Sequence, residues 1–366
     1  MAFWGTPLSA LLFAPMALLE PRTALLVFKV QNALMLSLAA WLVFAFYEPR
    51  RDPDRLSFPT YGAVFVVLLL LFQPMWTVYR VGGQTTPTVL VLLIGSLILH
   101  VNGKAFAAAL LFAFAVVIKP FLAPGFALLA LTSGSRFFAY AAACGIGFAA
   151  MSIGIFGWPL HEQFLARARE GGMFMAIWGS GLILPLDSFI LLLEETTGLP
   201  DLAVWRNLGV AAIKVVALAV TVRVLWAGRA IEPTQARRHL NFLCALVFAL
   251  FVSSAVWEHY LAFLLPLVTL WVVRFVATGR EPARLVTLLV CLLPAQSLIL
   301  LLALRSLTPV PSAVDLIGSL VRAAPLWIIM WILWKYRAEV VSAFGEAEQF
   351  AESTTAQAPT YAQEAT

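Results

Sequence analysis

The residues with chemistry to offer lie in four short polar segments between long apolar runs. The first is Tyr79-Arg80-Val81-Gly82-Gly83-Gln84-Thr85-Thr86-Pro87. Its two glycines allow a tight turn or a close approach to a ligand, and Gln84 and the threonines offer hydrogen bonds. The second is Lys119-Pro120, a helix break beside a cation. A phosphate there would meet both a positive charge and freed amides. The third runs from Pro159 to Asp201. It holds His161, Glu162, Arg167, Arg169 and Glu170, then a glycine-rich turn, then an apolar piece at 182–193 interrupted by Pro185 and Asp187. Asp187 in that setting is costly unless it is paired or lines a watery cavity. The fourth is Ser253-Ser254-Ala255-Val256-Trp257-Glu258-His259-Tyr260, where carboxylate, imidazole, indole and phenol converge. A histidine titrates near neutrality and can serve as acid, base or phosphate partner. Plainer readings stand beside these: a hairpin turn, a helix end, an interfacial amphipathic helix with solvated charges and an inert turn.

The elements that must position these groups follow from composition. Of 366 residues, 62% are hydrophobic and 12% charged, with a mean hydropathy of +0.92. An ordinary soluble domain is about 45–50% apolar and about 25% charged. This excludes a disordered chain, a nucleic-acid-binding domain and a disulfide-rich secreted module. Apolar runs fall at 23–47, 61–79, 86–100, 105–118, 121–131, 136–158, 203–226, 240–256, 259–273, 285–304 and 316–334. A span needs about 20 apolar residues, so the expected fold is all-α, a polytopic integral membrane protein with about 11 transmembrane helices. The run 121–131 is short and can pair with its neighbour as a broken helix. Leu8–Leu19, bracketed by Pro7 and Pro21, is too short to span and suits a re-entrant or interfacial piece. Cys144, Cys244 and Cys291 have no ligand spacing and read as fillers, and neither a cofactor nor a metal is expected.

Lysine and arginine placement sets the orientation. One set of alternate loops carries thirteen cations and the other seven, so the first set faces the cytoplasm. The N-terminus is then outside and the C-terminus inside, in a multi-pass protein of the cell membrane. Residues 1–337 form the membrane domain, with outer-face segments 1–22, 80–86, 159–202 and 257–259. Residues 338–366 hold five glutamates and no lysine or arginine, which reads as a disordered acidic cytoplasmic tail. Without those five acids, residues 1–337 carry a net +10. Lys29, Gln31 and Asn32 interrupt the first run, and Lys214 and Arg322 lie inside later ones. All four polar segments share the outer side, with cations where topology disfavours them. An anionic lipid or lipid-phosphate ligand at the outer leaflet accounts for those cations. A water-soluble substrate on a central path would call for midplane polar groups instead.

The run Gly5-Thr6-Pro7-Leu8…Phe13-Ala14-Pro15-Met16-Ala17-Leu18-Leu19, followed by Gly83-Gln84, Lys119-Pro120 and Ser253…Trp257-Glu258-His259-Tyr260, resembles glycosyltransferase family 87. The resemblance covers roughly residues 3–275 in order and spacing. It implies a polyprenol-phosphate-mannose-dependent mannosyltransferase of the GT-C class. Such an enzyme takes a hexose, typically mannose, from a polyprenyl-phosphate donor to a glycolipid or envelope-glycan acceptor at the extracytoplasmic face. Its other contacts would be membrane lipids, with no nucleic acid. Its chemistry would be metal-independent inversion, a carboxylate taking the acceptor's proton. A lipid phosphate leaves, so cations near it stabilise the developing charge. The resemblance puts His259, Lys119 and Arg80 at positions suited to that role, and the residues themselves offer His259 and Glu258 as the candidate catalytic pair. Lys119, Arg80, Gln84, Gly83, Arg167, Arg169 and Asp187, all in the outer polar segments, are the candidate contacts to donor phosphate or substrate.

In the family, the acidic residue thought to act as base lies in an outer loop after a first helix, which would precede Gly5. The expectation is a chain lacking that helix and loop, either starting late or natively without them. Glu258, Asp187 and Glu162 are the acids left as substitutes. Two other classes remain open: a transporter or lipid flippase, which predicts inverted repeats and paired broken helices, and a non-catalytic homologue that keeps the fold.

Overall fold

A computed structural model describes residues 6–50, 61–81, 84–166, 183–197, 202–231, 234–253, 258–294 and 311–356. Every regular element among them is helical. Among the described residues, five helices are long and apolar enough to cross a membrane: Pro21–Tyr47, Ser135–Phe156, Val204–Ala230, His259–Val276 and Leu316–Lys335. Shorter apolar helices fill the space between them. The protein is an all-α membrane protein, as its composition requires.

The N-terminal segment forms a short α1 (Pro7–Phe13) followed by a 3-10 turn, Ala14–Leu18. Pro21 starts α2 (Pro21–Tyr47), where a missing N–H is harmless. Phe28, Asn32, Leu36, Ala39, Val43 and Phe46 are buried. They recur every three or four positions, which is one stripe of a 3.6-residue helix. Leu26, Val30, Leu34 and Trp41 are exposed, so α2 faces protein on one side and lipid on the other.

The run 61–79 is not one span but two helices, α3 (Tyr61–Leu71) and α4 (Gln73–Val81). Pro74 lacks the N–H that would bond the Leu70 carbonyl, and its ring crowds that turn. The indole N–H of Trp76 donates to Leu70 O instead, at 3.0 Å. The hydrophobic pattern is blind to this break because both pieces are apolar.

Helices α5 (Thr86–Val101) and α6 (Ala105–Ile118) form a tight hairpin, with Gly103 at φ 75° in the turn. The run 121–131 is the second half of a broken helix, a 3-10 turn at Pro120–Leu122 leading into α7 (Ala123–Thr132). α8 (Ser135–Phe156) stops at Gly157, and a further helix, α9, covers 158–166. Beyond it come α10 (Ile183–Thr197) and α11 (Ala203–Ala227).

α12 (Thr234–Val252) is the central pillar. Residues 239–247 and 249–251 are all buried, the mark of a helix enclosed on every side. It packs against α5, α7 and α11. Gly125 of α7 makes the closest approach: a Cβ there would run into the Ala245 carbonyl oxygen and lie 2.8 Å from the Ala249 Cβ. Small residues at such a crossing let two backbones touch.

The run 259–273 begins as a 3-10 segment (Glu258–Leu264), continues as α13 (Leu265–Trp271) and ends in a π turn (Val272–Val276). α14 (Ala283–Leu292) and α15 (Pro311–Lys335) follow. The expectation of a disordered tail from 338 is corrected: Arg337–Ala356 is a helix, α16. Val340, Ala343 and Phe344 are fully buried, and α16 packs on α12. Three apolar residues at helical spacing outweigh an acidic composition. Residues 357–366 lie outside the described residues.

Candidate functional site

The site is built on the break between α6 and α7. Pro120 cannot continue α6, and it forces the residue before it out of helical geometry. Lys119 accordingly sits at φ −131° and ψ 86°. Two of the last α6 carbonyls find partners there: Ala115 O takes the Lys119 N–H, and Val117 O takes the Thr6 hydroxyl at 2.6 Å. Thr6 also caps α1, so the N-terminal segment is pinned to the same helix end. The negative end of the α6 dipole faces the Lys119 cation.

Lys119 is 7% exposed. Its Nζ donates to Tyr260 Oη at 3.0 Å and to Gln84 Oε1 at 3.4 Å. Among the described side chains no carboxylate pairs with it; the ion pairs found join Glu346 to Arg274 and Arg280. A buried ammonium held only by neutral oxygens is poised for an anion. Burial pulls its pKa down to about 8.

Tyr260 is held by rings on two sides. Phe121 stacks on it at 4.4 Å between centroids, and His259 meets it edge-on at 4.3 Å. His259 itself is 5% exposed. Asn32 of α2 closes the cluster from the other side, its amide nitrogen donating to Gln84 O at 3.2 Å. Asn32 lies eleven residues down α2, about 16 Å from the start of the helix at 1.5 Å per residue. Lys119 and Gln84, expected on outer segments, therefore meet Asn32 well below the start of α2.

A cavity of ≈ 370 Å³ adjoins this cluster between α1, α6, α7, α8 and α9. Leu8, Val116, Phe126, Phe148, Ile153 and Phe164 are among its apolar walls, and it reaches Thr6 and Pro120. Its polar edge is the Ser152–His161 pair, Oγ to Nε2 at 2.8 Å. His161 Nδ1 donates to the Gly157 carbonyl at 2.8 Å. A carbonyl only accepts, so Nδ1 carries the hydrogen and Nε2 accepts from Ser152.

Of the residues singled out in the sequence, Gln84, Lys119 and His259 come together. Glu258 begins the 3-10 segment that carries His259 and Tyr260. Arg80 lies on α4, and the backbone alone is described there and at Glu258. Asp187 lies on α10, which packs against α11 and α15. Glu162 is exposed on α9. Gly83, Arg167 and Arg169 lie outside the described residues. Among the described residues no group of three or more His, Cys, Asp or Glu could hold a metal ion. Tyr260 and Asn32 are the additions. The first stood unchosen beside His259. The second was detectable as the one amide in the buried stripe of α2.

A family model, glycosyltransferase family 87, matches residues 3–254. The match contains Asn32, Gln84 and Lys119 and ends just before Glu258. No curated protein and no solved structure matches the chain.

Proposed function

Since the chain belongs to glycosyltransferase family 87, we propose that this membrane glycosyltransferase takes a hexose from a polyprenyl-phosphate donor, with Lys119 binding the donor phosphate. Mannose is the sugar that the family resemblance implies, and a glycolipid or envelope glycan is the acceptor. The buried Lys119 ammonium, without a carboxylate partner among the described side chains, carries this reading. A lipid phosphate supplies the missing negative charge, and Tyr260 and Gln84 aim the ammonium at it. The apolar cavity beside Pro120 suits the first isoprene units of the donor chain.

In the proposed reaction an acceptor hydroxyl oxygen attacks the anomeric carbon on the face opposite the phosphate. The bond from that carbon to the phosphate oxygen breaks, and the polyprenyl phosphate leaves with the electron pair. Glu258 takes the hydroxyl proton. Lys119 stabilises the charge that develops on the leaving phosphate, and His259 sits behind Tyr260 as the second group of that wall. The cation bias between alternate loops supports an extracytoplasmic site, with Arg80, Gly83, Arg167, Arg169 and Asp187 as further donor or substrate contacts in this proposal.

The test is sugar transfer from polyprenyl-phosphate mannose in membranes containing the full chain. Lys119→Met loses donor binding and transfer together, whereas Glu258→Gln loses transfer and keeps donor binding. Full transfer by Lys119→Met refutes the phosphate assignment.

A further inference from the structure

Asn32 stands in a stripe of α2 that is otherwise filled by Phe28, Leu36, Ala39, Val43 and Phe46. It is 1% exposed. Its Nδ2 donates to the Gln84 carbonyl at 3.2 Å. A backbone carbonyl can only accept, so this bond fixes which end of the amide faces Gln84. Asn32 Oδ1 points elsewhere, is buried, and has no hydrogen-bond partner. Thr86 Oγ1, two residues beyond Gln84 at the start of α5, is likewise buried and unpartnered. An orphaned buried acceptor costs about 1–3 kcal/mol, and an aliphatic residue would suit this stripe better.

Gln84 ties the orphan to the charge. Its backbone carbonyl holds Asn32, and its side chain holds Lys119. In a sugar phosphate the anomeric carbon bonds directly to a phosphate oxygen, so the sugar hydroxyls lie within a few bonds of the anion. Two recognition groups bridged by one residue match that geometry. We propose that Asn32 Oδ1 accepts a hydroxyl of the donor's sugar, which makes Asn32 a sugar-recognising residue beside the phosphate-binding Lys119. This rests on the donor reading above. It adds a division of labour: Lys119 recognises any lipid phosphate, and Asn32 recognises the sugar attached to it.

The test compares two ligands on the purified full chain in lipid nanodiscs: polyprenyl-phosphate mannose and bare polyprenyl phosphate. Wild type binds the sugar-bearing lipid more tightly. Asn32→Ala lowers that preference about tenfold, the value of one hydrogen bond, and leaves affinity for bare polyprenyl phosphate unchanged. Asn32→Leu restores the apolar stripe, guards against a folding failure, and gives the same loss of preference. Two results overturn the proposal. One is an unchanged preference in both variants, as expected if a buried water alone satisfies Oδ1. The other is an equal loss for both ligands, as expected if Asn32 only holds Gln84 in place. A wild type that binds neither lipid overturns the donor reading itself and is distinguishable from both.

Discussion

Lys119 Nζ lies 3.0 Å from the hydroxyl oxygen of Tyr260, a residue 141 positions further along the chain. The phenol oxygen accepts from the ammonium, and its own O–H remains free to donate to an arriving phosphate. Tyr260→Phe therefore removes a neutral phenol and leaves the cation. It lowers donor affinity about fivefold, whereas Lys119→Met lowers it about 10- to 100-fold, because bonds to charged groups are worth about 1.5–3 kcal/mol. Equilibrium binding of radiolabelled donor to both variants measures the difference.

Donor binding should weaken as pH rises through about 8. The unliganded Lys119 ammonium is held down to about 8 by burial, and only the protonated form attracts a phosphate. Affinity is thus full below that value and falls above it. In Lys119→Arg the guanidinium stays charged across the range, so the fall disappears. Titrating donor binding between pH 6 and pH 10 in both proteins checks the sign.

The α7–α12 crossing should be intolerant of added volume. Gly125→Val places its side chain against the Ala245 carbonyl and the Ala249 methyl. Overpacking of this kind costs about 1–3 kcal/mol. A lower melting temperature in detergent is expected, with Gly134→Ala a poor control because Gly134 has φ 91°. Gly145→Ala, where nothing lies within 4 Å of an added Cβ, is the neutral comparison.

Glu346 clasps the C-terminal helix to the membrane domain. Arg280 Nη2 reaches both carboxylate oxygens, at 2.8 and 2.6 Å, and Ser342 donates at 2.9 Å. Burial alone would raise the Glu346 pKa, but the hydrogen bonds from Arg280 and Ser342 and the charges of Arg280 and Arg274 outweigh it and hold it below the ordinary carboxylate range. A depressed carboxylate stabilises the docked helix above its ordinary range and stops doing so as pH falls through the lowered value. Hydrogen exchange in α16 should quicken only at strongly acid pH in wild type, and already at neutral pH in Glu346→Ala.

Much of this was legible in the sequence. The eleven apolar runs are helical over most of their described residues, because a 3.6-residue apolar pattern and a membrane-length run are local properties. The meeting of Gln84, Lys119 and His259 followed from ordered motifs. Three features were not local enough to read. The break at Phe72 depends on Pro74 and on the Trp76 indole reaching back to Leu70. The depth of the site depends on Asn32 lying about 16 Å below the start of α2 at 1.5 Å per residue, which loop counting cannot show. The order in α16 comes from Val340, Ala343 and Phe344 packing on α12, while the composition of the tail pointed to disorder.

The order of synthesis acts on the Lys119–Tyr260 bond. Ribosomes add about 5–20 residues per second, so Tyr260 emerges roughly 7 to 30 s after Lys119. During that interval Asn32, Gln84 and Lys119 are already made, and the ammonium has only the Gln84 amide beside it. The last helices to insert, beginning at Glu258, complete the wall of the site. A chain interrupted before that point is left with an exposed cation at a helix break.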